Sequence, residues 1–286
     1  MFTLNCKGRL LIIGKPLVMG ILNTTPDSFF AASRVNSTSA VLQRAAQMLA
    51  EGAVLLDVGG QSTRPGAELL NEKQESERVI PAIRAIAEQY PEAFISVDTY
   101  FASVATRAVE AGACIVNDIS GGSFDSAMLA AVAGLQVPFI CMHRKGSQET
   151  MHRQQTYSQL AQEVLDFFIV QTEKCRQLGI KDLILDPGFG FGKNADQNFE
   201  LLQDLPVFTL LEKPLLIGVS RKSTIYKTLG ITAEEALNGT TVLQTLALLN
   251  GANILRVHDV KPAVESVILL ERYGQKKSSI FDTGLG

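Results

Sequence analysis

Metal and disulfide signatures are what this chain most plainly lacks. Its four cysteines, Cys6, Cys114, Cys141 and Cys175, lie far apart with no CxxC pair, and there are only three histidines in 286 residues. That spacing excludes a zinc finger and argues against a disulfide framework. Cys114 and Cys141 fall inside apolar runs, where buried, inert thiols are expected. Charge of one sign is also missing. The net charge is −3, and no lysine- or arginine-rich block stands out, so nucleic acid is not an expected partner. Long hydrophobic runs are absent too: the N-terminal one is broken by Gly14-Lys15-Pro16 and no small-residue cleavage site follows it. The chain therefore reads as neither membrane-spanning nor secreted, and a cytoplasmic protein is expected. With 46% apolar and 19% charged residues and no low-complexity tract, it can bury a large core.

Phosphate-loop signatures fail as well, although one stretch imitates them. In "LILDPGFGFGK" (183–193), GxxxxGK[ST] needs glycine at Pro187 and a hydroxyl at Asn194, and GxGxxG needs glycine at Lys193. What remains is an aspartate ending an apolar run, a Pro-Gly turn, and two alternating phenylalanines on a loop whose glycines permit close approach. Of Phe189 and Phe191, an alternating pair, one at most is expected to face a pocket. An aromatic face beside a carboxylate suits a planar, hydrogen-bonding heterocycle.

Short apolar runs recur along the chain at Leu17–Asn23, Ala53–Gly59, Ala93–Asp98, Cys114–Asp118, Val137–His143, Asp182–Asp186, Pro214–Ser220 and Asn253–His258. Little alternation within them predicts strands buried on both faces of a parallel sheet. Helical periodicity appears between them, at Thr38–Glu51, Thr156–Leu178 and Thr232–Asn250, each stopped by a glycine. Eight strands alternating with helices predict a (β/α)8 TIM barrel forming one domain over residues 1–286. The alternative, an open doubly wound sheet, usually has fewer strands in this length and carries an early GxGxxG turn. Residues 2–13 are expected to form a hairpin plugging the barrel floor, and 274–286 a loose tail.

Polar residues gather where the runs end: Asn23, Asp57, Asp98, Asn117-Asp118, Met142-His143, Asp186, Ser220-Arg221-Lys222 and Arg256 with His258. In a barrel those ends converge on the rim where active sites form. Arg64, Arg221, Lys222, Arg256 and His258 make a cationic group, and Asn23, Asp98, Asn117 and Asp186 an anionic or amide one. Arg256 ends the apolar run "NILR", where an unpaired charge is costly, and alternation puts it on the same side as His258. That pair is expected to bind an anion such as phosphate. Asp186 and Lys222 are either a structural ion pair or two contacts to a flat ligand. The residues alone therefore predict a rim for something both planar and polyanionic.

Taken in order, "VMGILNTTPDSF" (18–29), "DVGGQSTRPGA" (57–67), "SVDT" (96–99), "VNDISGG" (116–122), "LDPGFGFGKN" (185–194), "GVSRKS" (218–223) and "RVHDVK" (256–261) make the chain resemble the dihydropteroate synthase family of folate biosynthesis. The resemblance covers nearly the whole chain. It implies a transferase that condenses 6-hydroxymethyl-7,8-dihydropterin diphosphate with 4-aminobenzoate, a cytoplasmic homodimer and sulfonamide target. It further implies a pterin site of Asp98, Asn117, Ile119, Met142, Asp186, Gly190, Phe191, Gly218, Lys222 and Arg256. Diphosphate would be held by Asn23, Arg64, Arg256 and His258, with Mg2+ at Asn23. Aminobenzoate would be held by Phe29, Thr63, Arg64, Pro65, Phe191, Ser220 and Lys222. Asp98, Asp186, Lys222, Arg256 and His258 would carry an SN1-like reaction, so no nucleophilic serine or cysteine is required.

The chain departs from the family pattern in three places. Phe30-Ala31-Ala32-Ser33 replaces a usual Ser-Asp-Gly-Gly, Gln61 replaces a usual glutamate, and Arg144 and Gln148 stand where Met and Pro are common. The first change predicts a stiffer, more apolar loop over aminobenzoate. Two rival readings are a corrinoid-dependent methyltransferase barrel, which would have no need of the diphosphate group, and a paralogue that binds pterin without condensing it.

Overall fold

The computed structural model describes residues 1–24, 34–61, 69–146 and 154–274. Strands β1 (Phe2–Cys6) and β2 (Arg9–Ile13) form an antiparallel hairpin about Lys7-Gly8, both at positive φ. Eight further strands are β3 (Leu17–Asn23), β4 (Leu55–Gly59), β5 (Phe94–Asp98), β6 (Ile115–Asp118), β7 (Phe139–Met142), β8 (Leu183–Asp186), β9 (Leu216–Ile217) and β10 (Ile254–Val257). They pair in parallel in the order β8-β7-β6-β5-β4-β3-β10-β9. A bridge between Leu185 and Leu215 joins β8 to the segment entering β9, so the sheet closes on itself as a TIM barrel. The expected barrel and hairpin are both present.

Period-2 alternation sorts each strand into two cores. Outward-facing Val18, Leu56, Val97, Val116, Cys141, Leu185, Ile217 and Val257 pack with the helices in one large cluster. Inward-facing Leu17, Met19, Leu55, Ile115, Ile140, Ile184, Leu216 and Ile254 pack instead with Leu4, Cys6, Leu11 and Ile13 of the hairpin. Both strand faces are thus buried, which is why the sequence runs show no alternation. The hairpin is the floor: its period-2 pattern turns one apolar face up into the barrel.

The principal helices are α1 (Arg34–Ala50), α2 (Glu72–Gln89), α3 (Ala102–Glu110), α4 (Met128–Leu135), α5 (Leu160–Gln177), α6 (Ala195–Gln203), α7 (Leu205–Phe208), α8 (Ser223–Leu229), α9 (Leu237–Leu249) and α10 (Val260–Gly274). Asn71 and Gln74 cap α2 with a reciprocal pair of hydrogen bonds, and Asn194 with Gln197 does the same for α6. Gly52, Gly179 and Gly251 follow the three expected helices at positive φ and stop them. Two helices start later than periodicity predicts. Before α9, Thr232 donates from its amide and hydroxyl to Glu235, a local turn that competes with the helix. The run 214–220 pairs over only two residues, because the chain turns at Val219, whose carbonyl accepts from the amide of Lys222 ahead of α8. No helix among the described residues is long and apolar enough to cross a membrane. The expected tail, residues 275–286, lies outside the described residues.

Candidate active site

Above the apolar floor, the inward positions of the strands become polar. Asp57 follows Leu55, Asp98 follows Ser96, Asn117 follows Ile115, Asp186 follows Ile184, and Arg256 follows Ile254. Strand register places Asp98 beside Asn117 and Met142 beside Asp186. A single buried network results. Asp57, fully buried, accepts on one oxygen both Arg256 Nε at 2.6 Å and Asn117 Nδ2 at 3.0 Å. A second guanidinium nitrogen of Arg256 donates to Asp98 at 2.7 Å.

The Arg256 charge, costly if left unpaired, is thus compensated by two carboxylates. A buried guanidinium needs such partners, and here the barrel's own strands supply them. Burial pushes the Asp98 carboxyl up to about 7, against the downward pull of Arg256. The third guanidinium nitrogen, Nη1, makes no hydrogen bond among the described residues and is left for a ligand.

Asp186 opens the loop that imitates a phosphate loop. One of its oxygens accepts from the amide of Gly188 at 2.8 Å, and the other makes no hydrogen bond among the described residues. Gly188, at φ +74, passes so close to His143 that a Cβ would meet the His143 carbonyl oxygen at 1.9 Å. Only glycine permits that approach. The two phenylalanines divide as expected. Phe189 joins the outer core, whereas Phe191 packs with Tyr100, Ile119 and Met142 at the mouth.

Lys222 crosses the mouth between these groups. Its Nζ donates to the Phe189 carbonyl and stands 5.0 Å from the centre of the Phe191 ring. A Cβ on Gly190 would come within 3.0 Å of its Cδ, and one on Gly218 would lie 3.7 Å from its Nζ. Gly190 thus makes room for the lysine stem, whereas the spacing at Gly218 is ordinary van der Waals contact. Burial lowers the Lys222 ammonium to about 8, against the opposing pull of Asp186.

Lys193 is a strut, not a phosphate ligand. Its buried Nζ donates to the carbonyls of Gly188 and Phe191 at 3.0 and 3.3 Å and meets His143 Nδ1 at 3.2 Å. Burial lowers Lys193 to about 7, and burial with Lys193 lowers His143 to about 2, so His143 is neutral. Arg221, grouped above with the rim cations, is also structural. It clamps Asp259 with two nitrogens at 2.7 and 3.0 Å and donates to the Ala233 carbonyl at 2.9 Å.

His258 sits one step above Arg256. Its Nδ1 and its backbone amide both meet the Ser220 hydroxyl, at 3.1 and 3.2 Å. When Ser220 donates to Nδ1, the proton of the neutral ring stays on Nε2, which is left as a donor. Burial, then the nearby Arg256, lowers His258 to about 4.

Among the described residues no group of three or more His, Cys, Asp or Glu side chains could hold a metal ion. What exists is a pair of oxygens flanking Gly59. A Cβ there would lie 3.6 Å from Asp98 Oδ2 and 3.8 Å from Asn23 Oδ1. Asp98 Oδ2 already accepts from Arg256, so the oxygen left for a metal there is Asn23 Oδ1, a sparse donor that would suit an ion such as Mg2+ only with waters and substrate phosphates completing its shell.

The structure thus gathers Asn23, Asp98, Asn117, Ile119, Met142, Asp186, Gly190, Phe191, Gly218, Ser220, Lys222, Arg256 and His258 at one end of the barrel. Phe29, Thr63, Arg64 and Pro65 lie outside the described residues, as do Phe30–Ser33 and Gln148. Of the remaining departures, Gln61 accepts from the Leu70 amide at 2.8 Å, and Arg144 stacks 3.6 Å from the Phe124 ring centre. Sequence reasoning gave Asp57 no role beyond its place at a strand end. The signal was there, since alternation puts Asp57 inward between Leu55 and Gly59.

Comparison with known proteins agrees with this geometry. The family described as pterin binding enzyme matches residues 19–258. Dihydropteroate synthase of Escherichia coli strain K12 is 43% identical over 267 residues, covering 93% of this chain and 94% of that protein. Dihydropteroate synthase of Synechocystis sp. is 45% identical over 247 residues, 85% of each. The solved structure of Xanthomonas albilineans dihydropteroate synthase with 4-aminobenzoic acid superposes with a TM-score of 0.89 at 37% identity, covering 95% of this chain and 98% of that one. With its strand-end network intact and its relatives aligned over most of their length, the chain belongs to the dihydropteroate synthase family of pterin-binding enzymes.

Proposed function

We propose that this single-domain chain condenses 6-hydroxymethyl-7,8-dihydropterin diphosphate with 4-aminobenzoate, giving 7,8-dihydropteroate and pyrophosphate. The observation that carries the reading is the juxtaposition, on one rim, of an acid edge (Asp98, Asp186), an amide (Asn117) and a cationic corner (Arg256, His258) around the Phe191 wall. A planar donor-rich ring with a polyanionic tail matches that layout.

Each residue then has a task. The free oxygen of Asp186 accepts from the amino-pyrimidine edge, while Lys222 and Asn117 address the other polar atoms of the ring. Ile119, Met142 and Phe191 cover its faces, Gly190 keeps the lysine's path open, and Gly218 lies beside the lysine's ammonium. Nη1 of Arg256 and Nε2–H of His258 point hydrogen bonds at the diphosphate, with Arg64 as a further cation. As the C–O bond to diphosphate breaks, positive charge spreads from the methylene carbon into the ring. Asp98 and Asp186 stabilise that charge electrostatically without moving. The aminobenzoate amine, held by Phe29, Thr63, Arg64, Pro65, Phe191, Ser220 and Lys222, attacks as a neutral nucleophile, so position matters more than activation. Asn23 would hold Mg2+, which would supply charge neutralisation for the diphosphate.

We place the enzyme in the cytoplasm as a homodimer. Support for a second copy comes from exposed Val242, Leu246 and Leu249 on α9 and Ile268 and Leu269 on α10, two helices packed side by side. The test of function is turnover. The chain incubated with the pterin diphosphate, aminobenzoate and Mg2+ should form dihydropteroate and pyrophosphate in equal amounts. Tight pterin binding without pyrophosphate release would leave a binding protein and overturn the reading.

A further inference from the structure

At the opposite end of the barrel, a cavity of about 170 Å³ opens under the floor, lined in part by Cys6, Lys7, Arg9, Ile95, Gly112 and Cys114. Cys6 ends β1 of the hairpin and Cys114 immediately precedes β6 of the wall, so one thiol comes from each side of the plug–barrel contact. Both belong to the floor cluster and line the same cavity.

Arg9 is fixed at the cavity edge. Its guanidinium donates to the carbonyls of Pro91 at 2.6 Å and Ala93 at 2.8 Å and lies 4.5 Å over the Phe94 ring. Lys7 adds a second cation, engaged with the Val109 carbonyl at 2.8 Å. The acid nearby, Asp182, is bonded to the Asn5 amide.

Cys6, with the Ile95 backbone and Arg9, lowers Cys114, while Cys6 itself is raised. Of the two sulfurs, Cys114 is thus the one that ionises more readily. The remaining cysteines differ: burial pushes Cys141 well up and Cys175 to about 11. Both Cys114 and Cys141 are buried, as expected.

We propose that Cys6 and Cys114 form a redox-modifiable pair, which a hydroperoxide converts to a disulfide stapling the hairpin to the barrel floor. The Cys114 thiolate attacks a peroxide oxygen, breaking the O–O bond and leaving a sulfenic acid while hydroxide departs. The Cys6 sulfur then attacks the Cys114 sulfur. The S–S bond forms, the S–O bond breaks, and the departing hydroxide takes the Cys6 proton. Two thiols and one peroxide yield one disulfide and two waters, with two electrons passing from sulfur to oxygen.

The test treats the full-length chain with hydrogen peroxide at pH 7, then denatures, alkylates and maps peptides without reductant. The expected result is a cross-linked Cys6–Cys114 peptide and a fall from four free thiols to two, with Cys141 and Cys175 still alkylated. Cys6→Ser should instead trap a dimedone-reactive sulfenic acid on Cys114, and Cys114→Ser should leave Cys6 reduced. The cross-linked wild type should melt at a higher temperature, reversed by dithiothreitol, because a long loop is closed in the unfolded chain. Absence of the cross-linked peptide, or oxidation of Cys114 no faster than of Cys141, would overturn the proposal.

Discussion

Replacing Asp57 by asparagine tests whether the strand-end network works as a unit. Asp57 is fully buried and holds both Arg256 Nε and Asn117 Nδ2 on one oxygen, while its other oxygen has no partner. An asparagine of the same shape can keep both hydrogen bonds through its carbonyl oxygen. It then places an NH2 group where the unpartnered oxygen stood and removes one of the two charges that compensate Arg256. Breaking a buried pair outright costs about 3–5 kcal/mol. With the hydrogen bonds kept, a loss of about 2–3 kcal/mol in unfolding free energy is expected, in the range for hydrogen bonds to charged groups. Urea denaturation followed by circular dichroism measures it.

Arg256 should also be drawn onto Asp98, moving its guanidinium off the diphosphate, so kcat/KM for the pterin diphosphate falls by about 30- to 100-fold, equivalent to about 2–3 kcal/mol. A second readout separates positioning from mere stability. Asp98 is raised mainly by burial, with Asp57 adding to the rise, so removing the Asp57 charge should move any Asp98-dependent limb of the pH–rate profile to lower pH. A variant within about 0.5 kcal/mol of the wild type, the ordinary range for a surface change, and with an unmoved profile would refute the reasoning.

Asp186→Ala and Lys222→Ala should each lower kcat/KM by at least about 10²-fold with the unfolding curve nearly unchanged, since each removes a preorganised charge from the site. Near-normal turnover in either would show the pterin edge to be read elsewhere. Lys193→Met should alter the pH dependence of stability. The folded lysine is held down at about 7, so above that pH and below its ordinary value the unfolded chain binds a proton that the folded chain lacks. Wild-type stability therefore gains up to about 1.4 kcal/mol per pH unit from this group across that window, and the variant should lose that slope. Parallel stability–pH curves for the two proteins would contradict the assignment. His258 is neutral when free, lowered to about 4, and an arriving diphosphate should raise it. Calorimetry near pH 6 in buffers of different ionisation enthalpy should then show proton uptake on ligand binding, reduced in His258→Gln.

The barrel was legible because burial of both strand faces leaves eight unalternating apolar runs, each ending in a polar residue. Inward and outward positions could be assigned from the same period, which is how Arg256 and His258 were placed together. What the sequence could not show was who neutralises whom. Asp57 and Arg256 are 199 residues apart, and nothing local marks them as partners. Lys193 was hidden for a similar reason. In the sequence it completes a glycine-rich loop, and only the close pass of Gly188 against His143 reveals that its ammonium is folded inward as a strut. Arg221 misled in the opposite sense. It sits beside Lys222 in the motif but at φ +52, and its side chain is clamped on Asp259.

A crystal structure of the chain soaked with the pterin diphosphate and Mg2+, without aminobenzoate, tests the central claim most directly. The account predicts the amino-pyrimidine edge on Asp186, the ring beside Phe191 and Lys222, and the diphosphate against Arg256, His258 and a metal at Asn23. A pterin bound with its diphosphate on the Asp186–Lys193 loop, or away from the strand ends altogether, would contradict it.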